Sequence, residues 1–169
     1  MTADQIADAK RIGQARCEAK PPEIRRNDSG FHSNNNDRSY PHMIGAIAEL
    51  AYAFVTDQEI DRRIFDGGDS VDFSGIEVKS STWVGDDIEL KIKKSEYERK
   101  KPIGYVLCRV DPENWTVEFM GCIDRKTFDK IKYPRKHKYV DNWCVEAKSL
   151  IKGIVYIKNG KLQGIKIEQ

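Results

Sequence analysis

Val71-Asp72-Phe73-Ser74-Gly75-Ile76-Glu77-Val78-Lys79 is the most informative segment of the chain. Two short alternating runs flank Ser74-Gly75, and a glycine in the second loop position suits a tight two-residue hairpin. With Ser74 and Gly75 as the loop, Phe73 is expected opposite Ile76, Asp72 opposite Glu77, and Val71 opposite Val78. Side chains alternate along a strand, so Asp72, Glu77 and Lys79 share one face. Phe73, Ile76 and Val78 take the other face and form core. Directly opposed residues lie about 4.5–5.5 Å apart at Cβ, where like charges are unfavourable. Lys79 offsets part of that repulsion, and a divalent cation offsets more. Hard cations such as Mg²⁺ take oxygen ligands, commonly one or two carboxylates completed by water and substrate phosphate.

Upstream, Pro41 suits the first turn of a helix. From His42 to Val55 nearly every residue is apolar or small, which predicts a buried helix. Glu49 is the acid in its interior. A buried carboxylate is costly unless it is paired, protonated or metal-bound. Two partners are open to it: an arginine such as Arg62 or Arg63, or the cation of Asp72 and Glu77.

Asp72…Glu77-Val78-Lys79, followed by Ser80-Ser81, resembles the signature of the PD-(D/E)XK nuclease superfamily, the restriction-endonuclease-like fold. Ile44-Gly45-Ala46-Ile47-Ala48-Glu49-Leu50-Ala51 resembles that family's first core helix with its acidic residue. The resemblance spans roughly residues 40–125. Val71 stands where the family's name has proline. Asp69 is a rival for the first acid, but it lies near the Gly67-Gly68 turn, whereas Asp72 is placed to face Glu77. The resemblance implies a metal-dependent nuclease that hydrolyses DNA, with Mg²⁺ as cofactor and Mn²⁺ able to substitute. Asp72 and Glu77 then bind the metal, with the Val78 carbonyl as a third ligand and Glu49 assisting. Lys79 positions the attacking water, and Ser80 and Ser81 hold the DNA backbone. No Ser-His or Cys-His pair suggests a covalent intermediate. Two other readings stay open: a non-catalytic DNA-binding or assembly module that keeps the fold, and an RNA-cutting relative. Restriction, intron homing, repair and phage DNA processing all suit the chain's size, and cutting both strands favours a homodimer.

The 169 residues suit a single domain. Residues 1–40 read as an N-terminal helix and polar loop, 41–125 as the catalytic core, and 126–169 as a basic extension. Net charge is +2, but residues 125–169 hold 12 Lys or Arg against 4 Asp or Glu, a local +8. The remaining 17 basic and 23 acidic residues leave −6 elsewhere. A basic segment beside an acidic one suits a phosphodiester substrate. No apolar run approaches the about 18 residues of a membrane span, so no membrane partner is expected. The mixed polar start is unlike a secretory signal, which points to an intracellular, cytoplasmic protein. The 4 cysteines form no C-x-x-C pair, and Cys108 and Cys122 read as buried thiols.

Along the remaining chain, Thr2-Ala3-Asp4-Gln5 reads as a capping box opening a helix to about Ala19. Residues 21–41 read as a polar loop, and Ile60–Asp66 as a strand. Ser80 to Trp83 continues the Glu77 strand, and Val84-Gly85-Asp86-Asp87 turns it back into Ile88–Lys93. There Ile88, Leu90 and Ile92 point inward, while Lys91 and Lys93 face solvent or DNA. Ser95-Glu96-Tyr97-Glu98 is a second capping box. Ile103–Val110 reads as a central strand buried on both faces, and Trp115–Ile123 as its returning neighbour. Asp124 caps a helix with Phe128 and Ile131 inward. Tyr133–Tyr139 reads as a basic, aromatic-bracketed loop in which Arg135, Lys136 and Lys138 contact nucleic acid. Trp143 is expected to be buried. Asn159-Gly160 joins a terminal hairpin. The resulting class is α/β: a restriction-endonuclease-like core, its central mixed β-sheet flanked by helices, with a C-terminal basic extension and hairpin.

Overall fold

A computed structural model of the chain describes residues 1–19, 39–60, 62, 71–137, 140–158 and 161–165. The polar loop over 20–38, most of the expected strand at 60–66, Asp69, Lys138 and the Asn159-Gly160 turn lie outside these residues. The chain is α/β, with a mixed three-stranded sheet and four helices among the described residues.

Helix α1 (Ala3–Ala19) opens on the expected capping box. The Gln5 N–H donates to Thr2 Oγ1 at 3.2 Å, and the Thr2 N–H donates to Gln5 Oε1 at 2.9 Å. Its thin apolar face, Ala9 and Ile12, packs on helix α2 (Tyr40–Thr56). The two helices approach closely at Gly13, where an added Cβ would lie 2.6 Å from the Met43 backbone nitrogen. Helix α2 carries Pro41 in its first turn and buries Ile44, Ile47, Ala48 and Tyr52. It is not apolar core all round, since Phe54 is 76 % exposed.

Strand β1 (Ile76–Ser81) lies parallel to β3 (Gly104–Asp111), and β3 pairs antiparallel with β4 (Thr116–Asp124). As expected, β3 is the central strand, and Tyr105 to Cys108 are all buried. Alternation along β1 and β3 divides the interior in two. Ile76, Val78, Val106 and Cys108 join α1 and α2 in one cluster. Tyr105 and Leu107 join Leu90, Ile92, Phe128 and Val145 in the other. Each such large apolar side chain contributes about 1.5–3 kcal/mol when buried.

Strand β2 (Glu89–Lys93) does not turn back onto β1. It pairs with β6 (Val140–Glu146) in a second sheet of order β2-β6-β5. The loop through Trp83 and Val84 instead carries the chain away from the first sheet, and Leu90 and Ile92 face the second core cluster. Helix α3 (Lys94–Arg99) starts a residue before the expected box, with Lys93 at the N-cap and no side-chain cap bond from Ser95. Asp124 does cap α4 (Arg125–Ile131), accepting from the Thr127 N–H at 2.9 Å. Phe128 is buried as expected, but Ile131 is 43 % exposed, because the short helix turns only one side inward.

The expected basic loop at Tyr133 is β5 (Tyr133–His137), an edge strand on β6. Pro134 is tolerated there because an edge position does not need its missing N–H. Trp143 is only partly buried, with Lys94 and Lys132 over its ring at 4.8 and 4.9 Å. Strands β7 (Ile154–Lys158) and β8 (Lys161–Ile165) form the terminal hairpin, with Lys158 paired to Lys161. All 4 cysteines are unbridged, and Cys108, Cys122 and Cys144 are buried. Among the described residues no helix is long and apolar enough to cross a membrane.

Candidate metal centre

The bend at Ser74-Gly75 forms where the sequence places it. Phe73 and Ile76 exchange both backbone hydrogen bonds at 3.0 Å. Gly75 sits at φ 83°, while Ser74 is not in the left-handed region. That is the type II pattern, which needs a residue tolerant of positive φ in the second loop position. Pairing stops at Phe73–Ile76, so Asp72 does not stand opposite Glu77 in a ladder. Continuing it would set two carboxylates directly across from each other. Instead the Asp72 carboxylate turns along the edge of β1 and accepts from the Val78 N–H at 2.8 Å.

Glu77 and Lys79 project from the same face of β1, and Val78 is buried on the other. Glu77 is 2 % exposed. Its Oε1 accepts from Lys79 Nζ at 2.8 Å and from Lys100 Nζ at 2.7 Å. Lys79 Nζ also reaches Glu96 Oε2 on α3 at 3.0 Å. The second carboxylate oxygen, Glu77 Oε2, is buried and has no hydrogen-bond partner among the described residues.

Glu49 comes from α2, on the other face of the sheet, and its partner among the described residues is not Arg62; Arg63 lies outside them. Arg16 of α1 grips both its oxygens, Nη1 to Oε1 and Nη2 to Oε2, each at 2.7 Å. Arg62 pairs with Asp8 instead. Asp72 is within electrostatic reach of both Glu49 and Glu77. Burial, then the charges of Glu49 and Glu77, push its pKa well above the usual carboxylate value. Lys79 and Lys100 offset this only in part. Burial works against the Lys79 ammonium, but Glu77, Glu96 and Asp72 outweigh it and hold the pKa above that of an ordinary lysine. Lys79 is therefore a fixed cation and a hydrogen-bond donor, not a base. Burial also works against ionised Glu96, yet Lys79, Lys93 and Lys100 leave its pKa lowered.

Among the described residues no three His, Cys, Asp or Glu side chains converge as a ligand set. Two carboxylates are nonetheless the usual protein share of a Mg²⁺ site, which keeps waters and substrate oxygens in its other positions. A buried carboxylate oxygen without a partner, beside an acid whose charge its neighbours disfavour, fits that share. A cavity of about 640 Å³ lies elsewhere, lined in part by Ser39, Tyr40, Met43 and Trp115. Tyr40 is nine residues before Glu49, roughly 14 Å along the helix, too far to serve this chemistry.

Comparison with protein-family models, characterised proteins and solved structures found no match to the chain.

The structure thus brings together Asp72, Glu77 and Lys79, with Glu49 acting on Asp72 from α2. Ser80 and Ser81 follow on β1, both partly exposed. Lys91 and Lys93 are exposed on β2, and Lys93 lies 4.0 Å from Glu96. Arg135, expected to contact nucleic acid, is tied to buried Glu89, which also accepts from the Tyr133 hydroxyl. Lys136 is exposed beside it on β5. Sequence reasoning missed Arg16, Glu96 and Lys100. Their signals were helical: Arg16 follows Ile12 by four residues on the face meeting α2, and Glu96 and Lys100 are four apart.

Proposed function

We propose that the chain is a Mg²⁺-dependent deoxyribonuclease of the PD-(D/E)XK type, with a restriction-endonuclease-like fold, acting on phosphodiester bonds inside a DNA chain. The observation that carries this reading is Glu77: one oxygen held by Lys79 and Lys100, the other buried and without a partner among the described residues, with Asp72 in electrostatic reach. Asp72 and Glu77 would hold the cation, with the Val78 carbonyl and Glu49 assisting. A divalent ion bound there lowers the pKa of water and neutralises charge on a phosphate. Mn²⁺ should substitute for Mg²⁺.

The roles of the chain's own groups follow from where they sit. Glu77 orients Lys79, and Glu96 fixes the ammonium from the far side. Lys79 then donates to the attacking water or to the phosphate oxygens as negative charge builds on them. The Arg16–Glu49 pair anchors α1 to α2 and keeps a negative charge beside Asp72. Ser81, on the Glu77–Lys79 face of β1, offers its hydroxyl to the backbone next to the scissile bond, whereas Ser80 falls on the Val78 face and is not placed to do so. Exposed Lys91, Lys93 and Lys136 supply non-specific attraction to phosphates. A homodimer would let one centre serve each strand.

The test is cleavage of plasmid, linear DNA and matched RNA with Mg²⁺ or Mn²⁺. Wild type should cut DNA and Lys79→Ala should not. Equal background from both proteins on every substrate would rule the reading out, and a preference for RNA would transfer it to an RNA-cutting relative.

The ion pairs themselves favour one second reading: a DNA-binding or assembly module in which Arg16–Glu49 and Lys79–Glu77–Lys100 are structural. On that reading, salt-sensitive DNA binding is unchanged by Asp72→Asn or Glu77→Gln, and divalent ions leave the melting temperature where it was.

A further inference from the structure

Two ammonium groups converge on one oxygen of Glu77, and the nuclease reading uses only one of them. Lys79 is held from two sides, by Glu77 and by Glu96. Lys100 has Glu77 as its carboxylate partner, at 2.7 Å, with the side chain 13 % exposed. Its backbone is fixed where α3 ends. The Lys100 N–H donates to the Glu96 carbonyl at 2.7 Å, and its carbonyl accepts from Arg125 Nη1 at 2.9 Å. Pro102, two residues on, is buried. Lys100 therefore has an anchored root and a long side chain tethered to the cluster by one ion pair.

Charge balance says which group yields. Glu49, Asp72, Glu77 and Glu96 face Arg16, Lys79, Lys93 and Lys100, so the fully ionised cluster is neutral. A divalent cation leaves it with two surplus positive charges, of which a single phosphodiester neutralises only one. With the ion in place, an ammonium on Glu77 Oε1 becomes a like-charge neighbour in a poorly solvated site, where such repulsion is worth several times its value in water.

We propose, building on the nuclease reading, that Lys100 is the built-in counter-ion of the metal centre: it occupies Glu77 while the site is empty of metal and gives way to the ion, moving toward the substrate phosphate. Metal affinity is then set by a cation as well as by the two carboxylates. It is weak for the free protein and rises when DNA is bound.

The experiment is calorimetric titration of the full chain with Mn²⁺, without DNA, for wild type, Lys100→Gln, Lys100→Met and Lys100→Arg, each with a thermal melt to show that it is folded. Removing the charge in Lys100→Gln or Lys100→Met should tighten Mn²⁺ binding on the order of tenfold, whereas Lys100→Arg stays near wild type. Adding an uncleaved DNA duplex should tighten binding to wild type more than to Lys100→Gln. Equal or weaker binding in both neutral variants overturns the proposal, as does Lys100→Arg binding as tightly as they do. Absence of Mn²⁺ binding in every protein also overturns it. The nuclease reading is judged separately, by DNA cleavage. Tighter binding in Lys100→Gln with no cleavage by wild type keeps this inference and removes that reading. Cleavage with unchanged Mn²⁺ affinity does the reverse.

Discussion

Two of the chain's Glu-x-Lys triplets lie within strands of different sheets, Glu77-Val78-Lys79 on β1 and Glu89-Leu90-Lys91 on β2. Both glutamates are buried, at 2 % and 8 % exposure, and each pairs with its lysine, at 2.8 and 3.5 Å. Their surroundings differ. Glu89 meets the Tyr133 hydroxyl and the Arg135 guanidinium, so both its oxygens are satisfied. Burial opposes ionised Glu89, but those two hydrogen bonds prevail and its pKa is lowered. Glu77 meets further acids. Asp72 beside it is pushed toward protonation, and one Glu77 oxygen stays bare. The triplet alone therefore says little. A triplet whose glutamate has both oxygens satisfied reads as structural, and one with an unsatisfied oxygen beside a disfavoured acid is the better functional candidate.

Exchanging the roles of the two triplets should break this contrast. On activity, Lys79→Ala should lower kcat by on the order of 10²–10³-fold. Lys91→Ala, on an exposed side chain, should act only through KM and its salt dependence; steady-state cleavage kinetics read both. On stability, Glu89→Gln weakens a buried acceptor shared by partly buried Tyr133 and exposed Arg135 and should cost about 1–3 kcal/mol in urea melts. Asp72→Asn removes a disfavoured charge and should stabilise the metal-free protein by about 1 kcal/mol, while abolishing any rise in melting temperature with Mg²⁺.

The same contrast sets opposite pH dependences. Glu89 has a folded pKa below its reference of 4.5, so its contribution is present above the unfolded pKa and is lost as pH falls through the folded value. Asp72 has a folded pKa above its reference of 3.8. Its ionised form costs stability at pH values above that range, and acidification toward 3.8 relieves the cost. Stability curves from neutral to acidic pH should therefore show Asp72→Asn above wild type at neutral pH, converging with it on acidification. Glu89→Gln should lie below wild type at neutral pH and converge only below 4.5. The bend gives a further test. Gly75→Ala, at φ 83°, should cost about 1–2 kcal/mol and weaken metal binding by loosening Asp72.

The parts of the fold that were legible in sequence are those fixed by local period and turn chemistry. The Thr2 box, the α2 helix, the Phe73–Ile76 bend, buried β3 and the Asp124 cap each depend on residues within a few positions. Strand partnership depends on the whole chain. The alternation of Ile88, Leu90 and Ile92 marks a strand with one buried face but does not name its neighbour, and β6 took the place expected for β1. The Tyr133 segment misled because its charges and Pro134 resemble a loop, while an edge strand tolerates both. At the site, Glu77 and Lys79 were legible because alternation puts them on one face of β1, whereas Asp72 comes near them by turning along the strand edge and not by the expected cross-strand pairing. Arg16, Glu96 and Lys100 were not legible, because helix packing brings them there.

The central claim is that Asp72 and Glu77 share a cation next to Lys79. A crystal of the full chain soaked in Mn²⁺, with anomalous scattering used to locate the ion, tests it most directly. The account predicts a peak coordinated by carboxylate oxygens of both Asp72 and Glu77, including Glu77 Oε2, with Lys79 beside it and Lys100 withdrawn from Oε1. A peak bound only at other carboxylates, or none while Lys79 and Lys100 keep their grip on Glu77, would contradict it.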